Sequence, residues 1–165
     1  MVLELLRRLP RPRVRPLVHR FLYVLDSEGV VFFQSLVYLH LAAGGAYCAF
    51  VAGEVPEALR DALGPKVDTA WLWLCIGATL CLVGKLLSTD RWPYWVRTSG
   101  LYLQLAGDAA AFGAFAGYVT STVQDSPWGK ALIAVWVFAA LAECAFFLCW
   151  RDIRRIVQAE KVMRR

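Results

Sequence analysis

Four long apolar stretches constrain the fold of this chain more than any other feature of its sequence. They cover residues 30–53, 69–87, 100–120 and 128–150. A helix needs about 20 consecutive apolar residues to cross a bilayer, because in hydrocarbon only its own backbone ladder satisfies the peptide groups. None of the four stretches has the polar face that a helix of a soluble bundle presents to water. The sequence therefore predicts an all-α, polytopic membrane protein with a four-transmembrane-helix bundle over residues 30–150.

The composition agrees with this fold class and excludes several others. Of the 165 residues, 59% are hydrophobic and 19% are charged. In a soluble domain about a quarter of all residues are charged. This balance excludes a disulfide-stapled secreted module, a disordered tail and a nucleic-acid-binding globule. The connections between the stretches are short. The remaining regions are a basic, cytoplasmic or interfacial N-terminal segment over residues 1–29 and a basic cytoplasmic tail over residues 151–165.

The distribution of Lys and Arg predicts the orientation of the four helices. Six lie in the N-terminal segment, three at the connection between the second and third stretches and six in the tail, while three lie on the other side. Positively charged loops stay in the cytoplasm, so we expect a multi-pass protein of the cytoplasmic (inner) membrane with both termini inside. Basic side chains there attract anionic lipids, and topology explains them without nucleic acid. The predicted headgroup contacts are Arg7, Arg8, Arg11, Arg13, Arg15, Arg151, Arg154 and Arg155.

Three titratable side chains lie inside the predicted spans, where ionisable groups are costly and mark functional sites. At about 1.5 Å per residue, His40, Asp108 and Glu143 all lie about 10–15 Å from the cytoplasmic ends of their helices. Two interpretations remain open: a proton-accessible, water-lined site, or interhelical hydrogen bonds that fix which helices pack together. The predicted intramembrane polar cluster comprises His40, Thr79, Gln104, Asp108 and Glu143.

Small residues predict where helices approach each other closely. The third stretch carries Gly113 and Gly117 in GxxxG spacing, and the first carries Gly44 and Gly45 within a run of alanines. Small side chains let two helix backbones come into contact in a membrane. Two interpretations are again open: the first and third spans of one chain pack together through these residues, or the same face forms a homo-oligomer.

No pattern of enzyme chemistry occurs in the chain. It contains no nucleophile elbow, phosphate-binding loop, HExxH helix or dinucleotide fingerprint. The five cysteines all lie in predicted spans and none belongs to a CxxC pair, so we interpret them as small hydrophobic residues. We therefore expect a protein that is not an enzyme and that holds neither a cofactor nor a metal.

The layout of the chain resembles a group of small membrane proteins encoded by tailed phages of actinobacteria, some of them holin-like. The features that carry this resemblance are the arginine-rich start, the four compact spans, the GxxxG of the third span and the final block WGKALIAVWVFAALAECAFFLCWRDIRRI. The resemblance implies a protein that assembles in the bilayer and permeabilises it. It carries no functional residue over to this chain, because no diagnostic motif anchors it.

Three hypotheses for function follow from these observations. The first is a holin-like protein whose small-residue faces build oligomers in the cytoplasmic membrane. The second is a non-lytic accessory or phage exclusion protein that docks on another membrane protein. The third is a small proton-linked transporter that uses His40, Asp108 and Glu143. The expected partners are a bilayer with anionic lipids and a second copy or another membrane protein.

Overall fold

A computed structural model describes residues 23–24, 27–55, 60, 65–125 and 132–163. Every long element in these ranges is a helix and none is a strand, so the predicted all-α class is confirmed. The helices are α1 (Glu28–Tyr47), α2 (Pro65–Gly77), α3 (Leu80–Leu87), α4 (Tyr94–Asp125) and α5 (Leu132–Met163). The chain divides into two compact units, residues 1–33 and 34–165, and the packing described below is that of the second.

Three of the helical segments are long and apolar enough to cross a membrane. They are Glu28–Ala52, Asp68–Leu87 and Ile133–Lys161. Large apolar side chains remain exposed on them, for example Phe50 at 78% and Trp136 at 69%. Such surfaces exceed what a monomeric soluble protein presents to water. The helices therefore indicate a membrane protein, as the sequence predicts.

Helix α1 ends in a change of helical winding. Residues Cys48–Ala52 continue it as a π-helix, and Gly53 then adopts a left-handed conformation with a φ of 67°. A glycine takes this conformation without the steric cost that a Cβ would add, which is why it terminates helices. The predicted first span, residues 30–53, therefore ends where the helix does.

The predicted second span is divided between α2 and α3. At the division the Thr79 amide donates to the Ile76 carbonyl at 3.1 Å and the Cys81 amide to the Ala78 carbonyl at 3.2 Å. These bonds span three residues rather than four, so the helix tightens locally. The Thr79 hydroxyl donates to the same Ile76 carbonyl at 2.7 Å. The span is thus a pair of shorter helices joined by one tight turn.

Helix α4 is the centre of the packing, because α2, α3 and α5 all pack against it. Its 32 residues extend for about 48 Å. Three glycines bring α3 and α4 into backbone contact. A Cβ added to Gly84 would lie 2.5 Å from the Gly100 carbonyl oxygen, and one added to Gly107 would lie 2.6 Å from the Cys81 Cβ. This contact is closer than any that the predicted GxxxG residues make.

Helices α4 and α5 run antiparallel along most of their length. The Tyr102 hydroxyl donates to Glu160 at 3.0 Å, while the Phe115 and Phe138 rings lie 5.9 Å apart near the other end. Helix α5 continues past residue 150, where the sequence predicts the last span to end, and reaches Met163. Packing explains the extension, since Ile156 is buried. The part of the predicted tail that the structure describes is therefore helical.

Candidate functional site

A buried charge cluster joins three of the long helices. Asp108 of α4 lies at its centre, with Gln34 of α1 on one side and Arg151 of α5 on the other. The Gln34 Nε2 donates to Asp108 Oδ1, and Arg151 Nη2 lies 3.7 Å from Asp108 Oδ2. Both ionic side chains are completely buried. Together with Lys85 and Asp152, described next, these residues form what we call the charge cluster.

Two further charged residues complete the cluster. Asp152 accepts a hydrogen bond from the neighbouring Arg151, with a distance of 2.9 Å between Nε and Oδ1. Lys85 of α3 donates to the Ser35 hydroxyl at 3.2 Å and interacts electrostatically with Asp108 and Asp152. The two carboxyl groups are thus formally balanced by one guanidinium and one ammonium group. A charged group inside a membrane protein requires such a partner, because desolvation without one is very costly.

Polar but uncharged groups surround Asp108. Besides its bond to Asp108, the Gln34 amide donates to the Cys81 sulfur at 3.2 Å. The Tyr38 hydroxyl also lies close to the Asp108 carboxyl and is itself buried. Tyr38 and Cys81 belong to the same hydrophobic core as Ala111 and Ala145. The cluster is therefore embedded in the packed interior and does not line an open channel within the described residues.

The structure places only two of the five predicted cluster residues in the interior. Asp108 and Gln104 are both buried. Gln104 donates to the Ser88 hydroxyl at 2.7 Å, which in turn donates to the Lys85 carbonyl at 3.1 Å. Gln104 therefore ties α4 to the end of α3 beside the cluster. Thr79 is half-buried and its hydroxyl bonds within its own span.

His40 and Glu143 do not join the cluster. His40 is exposed, and its Nδ1 lies 2.8 Å from the Leu36 carbonyl oxygen one turn earlier. Glu143 is exposed on α5. The countercharge beside Asp108 comes from Arg151, which the sequence analysis does not place in the cluster. The reason is geometric, since Arg151 lies beside Asp108 while the His40 side chain projects from the surface.

Arg151 requires a correction to the predicted headgroup contacts. Its side chain is fully buried against Asp108 and Asp152 and does not reach a bilayer surface. Arg154 and Arg155 are half-buried. The other predicted headgroup contacts, Arg7, Arg8, Arg11, Arg13 and Arg15, lie outside the described residues.

Sequence reasoning missed four members of the cluster: Gln34, Lys85, Arg151 in its buried role and Asp152. One signal could have identified Asp152. It follows the buried residues Ala145 and Leu148 at spacings of seven and four residues, which places all three on one face of a helix. A charged residue on a face that is otherwise buried indicates a partner in the interior.

The glycines of the predicted GxxxG pair pack inside the chain, but against a different helix than predicted. A Cβ on Gly113 would lie 3.2 Å from a Leu74 methyl, and one on Gly117 would lie 3.4 Å from Trp71 Cδ1. Both neighbours belong to α2, not to the first span. Of the two glycines on α1, Gly45 packs against Cys75 of α2, with 2.6 Å between its added Cβ and that of Cys75, and Gly44 has nothing within 4 Å.

An apolar groove of about 530 Å³ opens beside α1. Leu36, His40 and Gly44 form one wall, and Phe115 and Leu141 lie on the opposite side. Among the described residues that line it, His40, Cys48 and Tyr118 carry ionisable side chains. The bond of His40 to Leu36 uses Nδ1, and no hydrogen bond to its Nε2 occurs among the described residues.

Glu143 lies in the middle of the exposed face of α5. Trp136 is 69% exposed and Phe147 is 41% exposed, and at 3.6 residues per turn both project on the same side of the helix as Glu143. Within the described part of the chain, Glu143 has neither an ion pair nor a hydrogen bond from its side chain. Glu143 therefore places a carboxyl group on the apolar surface of a candidate membrane span, with no polar partner among the described residues.

The site as a whole has two parts: a charge cluster whose acidic and basic side chains contact each other, and two exposed side chains outside it, His40 and Glu143. No protein-family model, curated protein or solved structure matches this chain.

Proposed function

We propose that this chain is a four-span protein of the cytoplasmic membrane that has both termini in the cytoplasm and acts by assembling with itself in the bilayer. The closest functional analogy is a holin-like membrane-permeabilising protein. The proposal has two parts, which are supported separately: the number of times the chain crosses the membrane, and the surface through which copies would contact each other.

The position of α4 supports a fourth crossing. This helix is less apolar than the three candidate spans, yet it is shielded by α2, α3 and α5, so its polar side chains need not face lipid. It is long enough to cross a bilayer, and it lies lengthwise against α5, which is apolar enough to do so. Four crossings return both termini to one side, and the Lys and Arg distribution assigns that side to the cytoplasm.

The single observation that carries the proposed assembly is the exposed carboxyl group of Glu143. On translocon-based scales an acidic residue at the centre of a membrane helix costs about 2.5–3.5 kcal/mol. Such residues almost always face the interior of a helix bundle or a water-filled cavity. Because the face around Glu143 is exposed in one chain, we infer that a second protein surface covers it in the membrane.

The charge cluster favours a structural role over proton transport. Its two carboxyl groups already have basic partners within the chain, and its side chains tie α1, α3, α4 and α5 together. We therefore interpret it as the element that fixes the packing of one subunit, while the exposed face of α5 serves the assembly.

Controlled expression in a bacterium tests the holin-like function. Membrane potential and viability are followed after induction, alongside the amount of the chain in the membrane. We expect abrupt depolarisation after a period of harmless accumulation. Continued accumulation to high levels with an unchanged membrane potential would contradict permeabilisation.

A second candidate function is supported by the same exposed face. A non-lytic accessory protein would cover Glu143 with another membrane protein instead of a second copy. Expression of the chain alone in a foreign host discriminates the two, because only the self-assembling protein forms oligomers there. Cross-linking in intact membranes, read on a denaturing gel, gives the answer.

A further inference from the structure

We propose that Glu143 of one copy pairs with His40 of the next, with α5 of the first copy lying across the apolar groove beside α1 of the second. This inference rests on the proposed self-assembly and names the contact that would produce it. The occupant of the groove is therefore a second copy of this chain. Three observations carry it: Glu143 and the His40 Nε2 have no polar partner among the described residues, the two side chains lie at matching depths, and they lie on different sides of one subunit.

The chemistry of the two side chains is complementary. A carbonyl oxygen only accepts, so the 2.8 Å contact with the Leu36 carbonyl oxygen places a hydrogen on the His40 Nδ1 and leaves Nε2 for another partner. A protonated imidazole donates from Nε2 to a carboxylate, and the pair is then charge-assisted. Glu143 supplies the carboxylate, and no described residue competes for it. Pairing removes two costly exposed polar groups from the apolar surface at once.

The depths of the two side chains match when they are measured from the charge cluster. Gln34 and Arg151 both contact Asp108, so they mark the same level on α1 and α5. His40 lies six residues beyond Gln34 along α1, or about 9 Å. Glu143 lies eight residues before Arg151 on the antiparallel α5, or about 12 Å in the same direction. Two copies inserted with the same orientation therefore bring these side chains to nearly the same plane of the bilayer.

The two side chains lie on different sides of one subunit. Leu141 of α5 lines the groove that contains His40. Glu143 is two residues further along, and at 3.6 residues per turn its side chain points to nearly the opposite side of the helix. One chain therefore cannot close this pair by itself. The contact between copies is head-to-tail, and such an interface propagates into a ring or an open array instead of stopping at a dimer.

An apolar contact is expected beside the proposed pair. Phe147 lies one turn from Glu143 on the same face and is 41% exposed, and Leu36 lies one turn from His40 on the groove wall. In antiparallel helices of neighbouring copies, both lie on the same side of the proposed pair. Leu36 and Phe147 are therefore expected to face each other across the contact.

Disulfide cross-linking in intact membranes tests this register. Leu36→Cys and Phe147→Cys are introduced together into a chain whose exposed or half-buried cysteines, Cys48, Cys144 and Cys149, are replaced by Ala. Oxidation should give a ladder of dimers, trimers and larger species. The matched control pairs Phe147→Cys with Tyr47→Cys, which is also exposed on α1 but lies about 16 Å further along the helix than Leu36. The control should give no ladder, and equal cross-linking from both pairs would overturn the proposed register.

Mixing two variants tests the pair itself. His40→Ala and Glu143→Ala are each introduced into the cross-linking chain, and each alone should weaken assembly by about threefold to thirtyfold in dissociation constant. Expressed together with different tags, they can form one intact pair, between Glu143 of the first variant and His40 of the second. We expect cross-linked heterodimers to reappear without the longer ladder.

The outcomes separate this inference from the proposed function. An unchanged ladder in both single variants overturns the His40–Glu143 pair, while self-assembly and the contact of α5 with the groove stand. Failure of the mixed variants to form heterodimers, when each chain is inserted and stable, also overturns the pair. A wild-type chain that remains monomeric at every level of expression contradicts self-assembly, and the pair with it.

Discussion

Arg151 Nη2 lies 3.7 Å from Asp108 Oδ2, and this contact joins α5 to α4 where neither side chain reaches the surface. Asp152 also contacts the guanidinium of Arg151, so one basic group lies between two acidic groups. The arginine thus lies between two buried carboxyl groups and contacts both. The stability of the packed helices is therefore expected to depend on Arg151 more than on any exposed basic residue.

Replacement of Arg151 by Met is expected to destabilise the protein strongly. The substitution removes the partner of two buried carboxyl groups, and breaking a buried ion pair in this way costs about 3–5 kcal/mol. Unfolding in mixed detergent micelles measures the change in free energy. The control is Arg97→Met, which breaks an exposed ion pair with Asp90 and should cost less than about 1 kcal/mol. Equal losses from both substitutions would contradict the assigned role of Arg151.

The second prediction concerns the coupling between Asp108 and Arg151. Asp108→Asn and Arg151→Met together remove one negative and one positive charge, and Asp152 and Lys85 still balance each other formally. The double variant should therefore lose less free energy of unfolding than the sum of the two single variants, by about 1–3 kcal/mol. A double-mutant cycle in the same micelles measures this difference. Strictly additive losses would show that the two side chains do not interact.

Which segments form long apolar helices could be predicted from the sequence. Hydropathy is a sum over neighbouring residues, so it requires no knowledge of contacts between helices. The burial of Asp108 agrees with the general rule that an acidic residue in a membrane span faces the interior of the helix bundle. The buried position of Arg151 could not be predicted from the sequence. Counting basic residues assigns each of them to a side of the membrane, but the count does not reveal that one basic side chain folds inward to meet an acid on another helix.

The orientation of His40 and Glu143 could not be predicted either. Both lie in helices that are apolar on every side, so the pattern of side chains gives no indication of which face is buried. The predicted common cluster requires both side chains to point inward, whereas the structure directs them to the surface. The close contact of α3 and α4 was missed for a different reason: Gly84, Gly100 and Gly107 do not form a GxxxG pair within one helix.

The third prediction concerns that close contact. A Cβ added at Gly107 would overlap the Cys81 backbone, so Gly107→Ala forces α3 and α4 apart and should cost about 1–3 kcal/mol of unfolding free energy. Gly44→Ala is the matched control, because nothing lies within 4 Å of its added Cβ. Alanine is a better helix former than glycine by up to about 1 kcal/mol, so the control should be neutral or stabilising. Thermal unfolding of the monomer in detergent distinguishes the two, and a neutral Gly107→Ala would contradict the backbone contact.

The last prediction separates internal packing from assembly on α4. Gly113 and Gly117 are half-buried and face Leu74 and Trp71 of the same chain, so we assign them to packing within one subunit. Gly113→Ala and Gly117→Ala together should lower the unfolding free energy modestly, by about 1 kcal/mol, because both added methyl groups meet side chains that can shift. The ladder of cross-linked oligomers should remain unchanged, because in the proposed assembly the copies meet through α5 and the groove. Loss of the ladder at unchanged monomer stability would instead place the GxxxG face between copies, and α4 would then have to turn away from α2 in the membrane.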